Sequence, residues 1–361
     1  MPVPRLLLLA PNWLGDAVMM SPLLSLLAGA RDHQGRRPHV TLAVRRRWLP
    51  LFRDDPRCDH LLPVARTGRH GGPLGVLRLG RELRAMRPDV VLLGPPSLRA
   101  ALLAVLSGAG VRVGYRGDTR STFLSHALVR PLRGTLHHAD ELVELGRAAL
   151  AAGGLTAPPE ADQGELLPGC AGRTAVEPGP GPEIWVLAPG TTYGEAKTWP
   201  ADRVSEFLTA AVETAGVRVL LLGDKAARPF VDEVATAVCV PWRRELAGPP
   251  GVIDMVGTTD LGEAVELLMT ATAFVGNDSG LMHVAGALGL ATVGIFGSSN
   301  PDWTSPLGRW TRSLAAEGFA CRPCYRRRCN QPEFCLAAIG AAEVLAAVRE
   351  RRAAMAAGGA T

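Results

Sequence analysis

Only two lysines stand among 37 arginines in this 361-residue chain, and Lys197 lies in a loop of oxygen-donor character. The loop reads Pro189-Gly190-Thr191-Thr192-Tyr193-Gly194-Glu195-Ala196-Lys197-Thr198-Trp199-Pro200. A compact ammonium serves phosphate as a point charge, where arginine would present a planar fork. Thr191 and Thr192 add hydroxyl donors, or else only stabilise the turn. A lysine surviving by chance on an arginine-rich surface is the competing explanation, so the loop alone does not decide.

A second candidate lies in Ala273 to Gly297. Its apolar start, Ala273-Phe274-Val275-Gly276, reads as a buried strand. The chain turns at Asn277-Asp278-Ser279-Gly280 into a helix over Leu281 to Leu288, stops at Gly289, and resumes as a strand over Ala291 to Phe296. Asp278 or Ser279 is placed to cap the helix, and Gly280 admits a ligand close to the backbone. Unpaired N–H groups and the positive helix end then converge on one point, which suits a phosphate or pyrophosphate. An ordinary βαβ unit with a capped helix has the same pattern. His283, one turn into the helix, is equally a ligand contact or a hydrogen-bonded core histidine.

Asp16 is the candidate general base. It follows Pro11-Asn12-Trp13-Leu14-Gly15 after an apolar strand, Arg5 to Ala10, where open α/β sheets place their ligands. A sugar hydroxyl attacking an anomeric carbon must lose its proton, and a carboxylate within about 3 Å can take it. Asp16 is alternatively a helix cap, and Trp13 either a stacking face or packing. His137 and His138 read as structural. Cys321, Cys324, Cys329 and Cys335 have the spacing C-x2-C-x4-C-x5-C, which in a cytosolic chain favours a metal-bound knuckle over disulfides and a structural over a chemical role. Cys58, Cys170 and Cys239 lie outside that spacing.

These residues need a scaffold of alternating strands and helices. Strands are expected at Val40 to Val44, His60 to Val64, Val90 to Leu93 and Val111 to Tyr115, with amphipathic stretches over Leu77 to Met86 and Leu98 to Leu106. After a region rich in proline and glycine, Thr156 to Pro182, the alternation resumes. It gives strands at Ile184 to Ala188, Val217 to Leu222 and Val252 to Val256, and helices over Ala201 to Ala215 (with Thr198 as its cap) and Leu261 to Thr270. A last amphipathic helix covers Ala341 to Ala356. Parallel sheets covered on both faces follow. The expected division is 1–160, a linker over 161–182, a second domain over 183–340, and a helix with tail over 341–361.

Charge divides with the domains. Residues 1–150 carry 22 Arg, no Lys and 11 acids, while residues 151–361 carry 17 basic and 23 acidic residues. A basic first half meets something anionic, or reflects an arginine-rich proteome. Nucleic acid is disfavoured because no reader motif or aromatic–basic interleaving accompanies the charge. No apolar run is long enough to span a bilayer. Leu6 to Leu9 after Arg5 hints at a leader, but the run breaks at Pro11-Asn12, so a cytoplasmic location is expected.

Together, Asn12 to Met19, Pro189 to Pro200 and Asn277 to Ala285, with Gly114 to Asp118 and Ser298 to Thr304, resemble the ADP-heptose:lipopolysaccharide heptosyltransferases of glycosyltransferase family 9, the second-heptose branch more than the first. The resemblance implies a GT-B architecture, two Rossmann-like doubly wound domains facing a central cleft. It implies inverting transfer from ADP-L-glycero-D-manno-heptose with no cofactor and no active-site metal. Its acceptor is an anionic, lipid-linked core oligosaccharide, reached by peripheral contact with the cytoplasmic face of the inner membrane. Carried over, Asp16 is the catalytic base, and Lys197 with Thr191 and Thr192 meets the phosphates. Asp278, Ser279, Gly280 and His283 form the donor site, with Thr259 near the adenine. Trp13, Gly15 and Arg116 lie on the acceptor side. The four clustered cysteines look like a set seen in some members. A nucleotide-sugar epimerase, a different heptosyltransferase of the family and a non-catalytic nucleotide-sugar-binding protein remain open at this level.

Overall fold

The computed structural model describes residues 2–159, 165–171, 179–190 and 193–358. The chain forms two compact units, Met1–Gly172 and Arg173–Thr361.

Among its described residues the first unit holds six strands: β1 (Arg5–Leu9), β2 (His39–Arg45), β3 (His60–Val64), β4 (Val90–Leu93), β5 (Val111–Tyr115) and β6 (His126–Leu128). All pair in parallel, in the order β3-β2-β1-β4-β5-β6. Leu6 to Leu9 and Val90 to Leu93 are buried without alternation, as strands covered on both faces must be. Leu7, Leu9, Val91 and Leu93 pack with Leu79 and Leu83 of helix Gly72–Ala85 and with Ala100, Ala101 and Leu103 of helix Leu98–Leu106.

Among its described residues the second unit holds seven strands: β7 (Ile184–Ala188), β8 (Arg218–Leu221), β9 (Trp242–Arg243), β10 (Gly251–Asp254), β11 (Ala273–Asn277), β12 (Ala291–Phe296) and β13 (Thr311–Ala315). They too are parallel, in the order β13-β12-β11-β7-β8-β10-β9. Helices Ala201–Ala215, Arg228–Ala237 and Ala341–Gly358 bury Phe207, Val231, Val344 and Val348 in one core with Trp185, Val219 and Val275. The final helix therefore belongs to this unit's core and is not an appendage.

In each sheet the chain moves outward from a central strand and then returns to that strand's other side. The reversals fall between β1 and β4 and between β7 and β11. At such a point the loops leaving the strands' carboxyl ends diverge and open a crevice, the usual ligand position in doubly wound sheets.

Several expectations need correction. The region rich in proline and glycine is not wholly linker: Leu167 and Cys170 are buried, and the short helix Pro168–Ala171 packs on the first unit. There Ser21 Oγ donates to Leu166 O, and Arg57 Nη2 donates to the same carbonyl at 3.1 Å. Thr198 does not cap the helix Ala201–Ala215; Pro200 holds that position without a side-chain bond. β6, β9 and β13 and the helices His138–Ala152 and Arg228–Ala237 are elements beyond those expected from the sequence. β6 and β9 are edge strands of three and two residues with no fully buried position, so they carry no apolar run to read. His137 and His138 are structural as expected: His137 Nδ1 accepts from Ala139 N at 3.2 Å, and His138 Nδ1 lies 2.9 Å from Glu141 Oε2. No helix among the described residues is long and apolar enough to cross a membrane.

Candidate active site

The Lys197 loop leaves the carboxyl end of β7 and is held by its neighbours' backbone. Asn277, the last residue of β11, spans it: its Oδ1 accepts from Trp199 N at 2.9 Å and its Nδ2 donates to Pro189 O at 2.8 Å. Trp199 is fully buried, packs edge-on against Phe207 with ring centroids 6.1 Å apart, and donates from Nε1 to Ile339 O at 2.9 Å. Two glycines permit the close approach. A Cβ on Gly194, where φ is +148°, would fall 2.5 Å from Arg327 O, and one on Gly297 would fall 2.6 Å from Ala196 O. The turn Glu195–Lys197 then projects Lys197 toward β11.

There Lys197 Nζ donates to Asp278 Oδ2. The same oxygen accepts from Ser299 Oγ at 2.6 Å, and His283 Nε2 lies 3.8 Å from Asp278 Oδ1. Burial alone would raise the Asp278 carboxyl, but His283 and the Lys197 ammonium outweigh it and hold the group far below the usual carboxylate range. Lys197 Nζ also sits 4.8 Å from the centroid of the Tyr193 ring, which Arg327 approaches at 5.6 Å. The ammonium is thus fixed in place by a carboxylate and an aromatic face.

Beside this pair begins the helix Gly280–Ala287. Ser279 occupies the capping position, as expected, but makes no side-chain cap bond, and Asp278 is turned to Lys197 instead. Ser279 Oγ and His283 Nδ1 are buried and have no hydrogen-bond partner among the described residues. The helix end therefore keeps its N–H groups and a hydroxyl for another acceptor. Thr259 lies half-buried just before the Asp260 cap of helix Leu261–Met269, in the loop leaving β10 on the same edge of the sheet. Thr191 and Thr192 lie outside the described residues.

In the first unit, Asp16 and Gly15 sit within the first turn of the helix Leu14–Met19, after β1; Asp16 is inside the helix and is not its cap. Trp13 takes the cap position and is 58% exposed. Asn12 Oδ1 accepts from Arg66 Nη1 at 2.8 Å. Arg116 is exposed at the end of β5, with its N–H on Leu128 O at 2.7 Å.

The structure thus joins Lys197, Asp278 and His283 into one cluster, with Ser279 and Gly280 at its edge. It sets Trp13, Gly15, Asp16 and Arg116 along the carboxyl edge of the other sheet. Sequence reasoning gave no role to Ser299, Asn277, Tyr193, Tyr325 or Arg327. Ser299 accompanies Asp278 only through the pairing of β11 with β12, for which linear spacing gives no signal.

The four clustered cysteines line one cavity with Ala196 and Ser298, all as free thiols. Burial pushes the Cys335 thiol up. Among the described residues no three His, Cys, Asp or Glu side chains are arranged to hold a metal ion. The knuckle expected from spacing is therefore present as a loop without a formed ligand set. It supports the Lys197 loop, since Tyr193 Oη donates to Tyr325 O, Ala196 N to Arg327 O at 3.1 Å, and Tyr325 N to Ser298 O at 2.8 Å.

Comparison with known proteins agrees with this geometry. The profile of glycosyltransferase family 9 (heptosyltransferase) matches residues 76–334. The chain belongs to glycosyltransferase family 9. It is 30% identical over 324 residues to lipopolysaccharide heptosyltransferase 2 of Escherichia coli strain K12, covering 86% of this chain and 87% of that protein. It is 28% identical over 315 residues to lipooligosaccharide heptosyltransferase 2 of Haemophilus influenzae, covering 84% and 86%. The solved structure of the E. coli ADP-heptose lipopolysaccharide heptosyltransferase II superposes with a TM-score of 0.70 at 24% identity, over 97% of this chain and 99% of that one. The fold is the GT-B fold of the family, and this family 9 member is a glycosyltransferase.

Proposed function

We propose that this family 9 enzyme transfers L-glycero-D-manno-heptose from ADP-heptose to the first heptose of the lipopolysaccharide inner core, with inversion at the anomeric carbon. The observation that carries the reading is similarity along nearly the whole chain to proteins named heptosyltransferase 2 from E. coli and H. influenzae. The geometry supports it at the second unit, where an oriented ammonium stands beside an open helix N-terminus, an arrangement made for a departing diphosphate.

Lys197 has three N–H donors, so Asp278 and phosphate oxygens can share it. Ser279 and the Gly280 N–H meet the pyrophosphate, Thr191 and Thr192 add hydroxyls, His283 completes the pocket, and Thr259 lies toward the adenine. Asp278 acts by orienting Lys197, because its carboxylate is only 7% exposed. In the first unit Asp16 removes the acceptor hydroxyl's proton, with Trp13, Gly15 and Arg116 along the acceptor. Its lipid-linked acceptor brings the enzyme to the cytoplasmic face of the inner membrane, a peripheral contact.

One assay tests the reading. The enzyme is incubated with ADP-heptose, with and without heptosyl-Kdo2-lipid A, and ADP release is followed. Release that requires the acceptor is expected. Conversion of the sugar nucleotide without acceptor would mean an epimerase, and binding without release a non-catalytic protein.

A further inference from the structure

One helix pair of the first unit turns an apolar face away from its core. Helices Gly72–Ala85 and Leu98–Leu106 cover one side of the sheet and bury Leu79, Leu83, Ala101 and Leu103 against it. At about 3.6 residues per turn, Leu74, Leu77, Arg78 and Arg81 fall on the outward arc of the first helix, and Leu98 and Leu102 on that of the second. The exposures agree, with Leu74 at 78%, Leu77 at 47% and Leu98 at 46%.

The two arcs adjoin. The helices lie so close that a Cβ on Gly80 would fall 2.6 Å from Leu106 Cβ. Counted back from that contact, Leu77 and Leu102 stand one turn nearer the start of their helices, and Leu74 and Leu98 two turns. Four leucines thus share one patch, which exceeds the scattered apolar exposure of an ordinary surface. Beyond them on the first helix follow Arg78, Arg81 and Arg84, all exposed. Among the described residues none of these three guanidiniums meets a carboxylate. Glu82, on the flank of the same helix, is already held by Arg69 at 2.6 Å.

We propose that Leu74, Leu77, Leu98 and Leu102, with Arg78 and Arg81, dock this helix pair in the plane of an anionic lipid surface. Leucine tips enter among the acyl chains, arginine stems lie along the boundary, and the guanidiniums take lipid phosphates. A fluid bilayer accepts leucines from two helices without a complementary shape, and its anionic headgroups match a rim that carries unpaired arginines. The docking face rests on the lipid-linked acceptor of the transferase reading above, and adds the residues by which the enzyme reaches it. Both helices start at the carboxyl edge of the sheet, where the Asp16 loop also leaves β1, so leucine insertion brings that edge to the headgroups.

The test uses the full chain and vesicles of phosphatidylethanolamine, alone or mixed in equal parts with phosphatidylglycerol. The wild type is expected to sediment with the mixed vesicles and to be released by salt. Leu74→Gln/Leu77→Gln should bind them about tenfold more weakly or worse, from the apolar burial lost. Arg78→Gln/Arg81→Gln should lose about fivefold per arginine, hence about 25-fold, and show a weaker salt dependence. All four positions are exposed, so kcat toward a deacylated, soluble acceptor and ADP affinity should stay nearly unchanged in both variants. A wild type that ignores the mixed vesicles, or either variant binding them as well as wild type, overturns the docking face. If the wild type transfers no heptose yet both variants lose vesicle binding, the docking face stands and the transferase reading falls. Sedimentation equilibrium without lipid checks for a second copy of the chain. A wild-type dimer that the leucine variant dissolves would assign the face to self-association and overturn the proposal.

Discussion

Lys197 and Asp278 lie 81 residues apart in sequence and form an ion pair whose side chains are 15% and 7% exposed. The pair joins the loop after β7 to the turn after β11, the two strands between which the sheet order reverses. An ion pair so little exposed contributes modestly to net stability, but removing one partner leaves the other charge poorly solvated.

Asp278→Asn is accordingly expected to lower the free energy of unfolding by about 2–4 kcal/mol, somewhat under the cost of a fully buried pair because Lys197 reaches some water. Urea denaturation at neutral pH measures it. A loss below about 0.5 kcal/mol would place the pair with ordinary surface ion pairs.

The same pair sets a pH dependence. The Asp278 carboxyl is held well below its ordinary value when folded, because His283 and the Lys197 ammonium outweigh its burial. A depressed carboxyl contributes stability that is fully present above the unfolded pKa and is lost as pH falls toward the folded one. The stability gap between wild type and Asp278→Asn should therefore be constant from pH 7 to about 5 and narrow between about pH 4 and 2. A gap that does not narrow on acidification would mean that Asp278 is not ionised in the folded state.

Lys197→Ala should weaken ADP binding by about 10- to 100-fold, the range for a hydrogen bond to a charged group. Lys197→Arg should restore only part of this, because the planar fork does not fit a point-charge site. Calorimetric titration with ADP checks both, and unchanged affinity in the alanine variant would remove Lys197 from the donor site.

Asp16→Asn should lower turnover by about 10²–10⁴ while leaving ADP-heptose affinity similar, as expected for a proton acceptor engaged only in the chemical step. Near wild-type turnover would send the base assignment to another group.

Asn277→Ala should cost about 2–4 kcal/mol, since it leaves the buried Trp199 N–H and the Pro189 carbonyl without their partner. Donor affinity should fall with it, because Asn277 spans the loop that carries Lys197. Thermal denaturation with and without ADP reads both effects, and a variant as stable as wild type would show that the clamp is dispensable.

The strands at the centre of each sheet were legible in the sequence because a parallel strand covered on both faces is a short continuous apolar run. β3, β4, β5, β7 and β12 have the expected limits. The motif loops were legible because they follow those runs directly, and lysine is so rare here that Lys197 marks itself. The edge strands β6 and β9 were not legible, since they are three and two residues long with no buried position, whereas the longer edge strand β3 keeps a readable run. The cap at Pro200, two residues beyond the expected Thr198, is not legible because cap geometry depends on where the following helix is docked.

Two doubly wound units, their family, and the residue types at the loops leaving β1, β7 and β11 can be read from the linear chain. Which of those residues meet is set by how the strands pack. Parallel pairing of β11 with β7 and β12 brings Asp278 to Lys197 and Ser299, and turns an expected cap into the carboxylate that orients the ammonium. Such contacts depend on strand order, and strand order is a property of the whole sheet that no local spacing in the chain encodes.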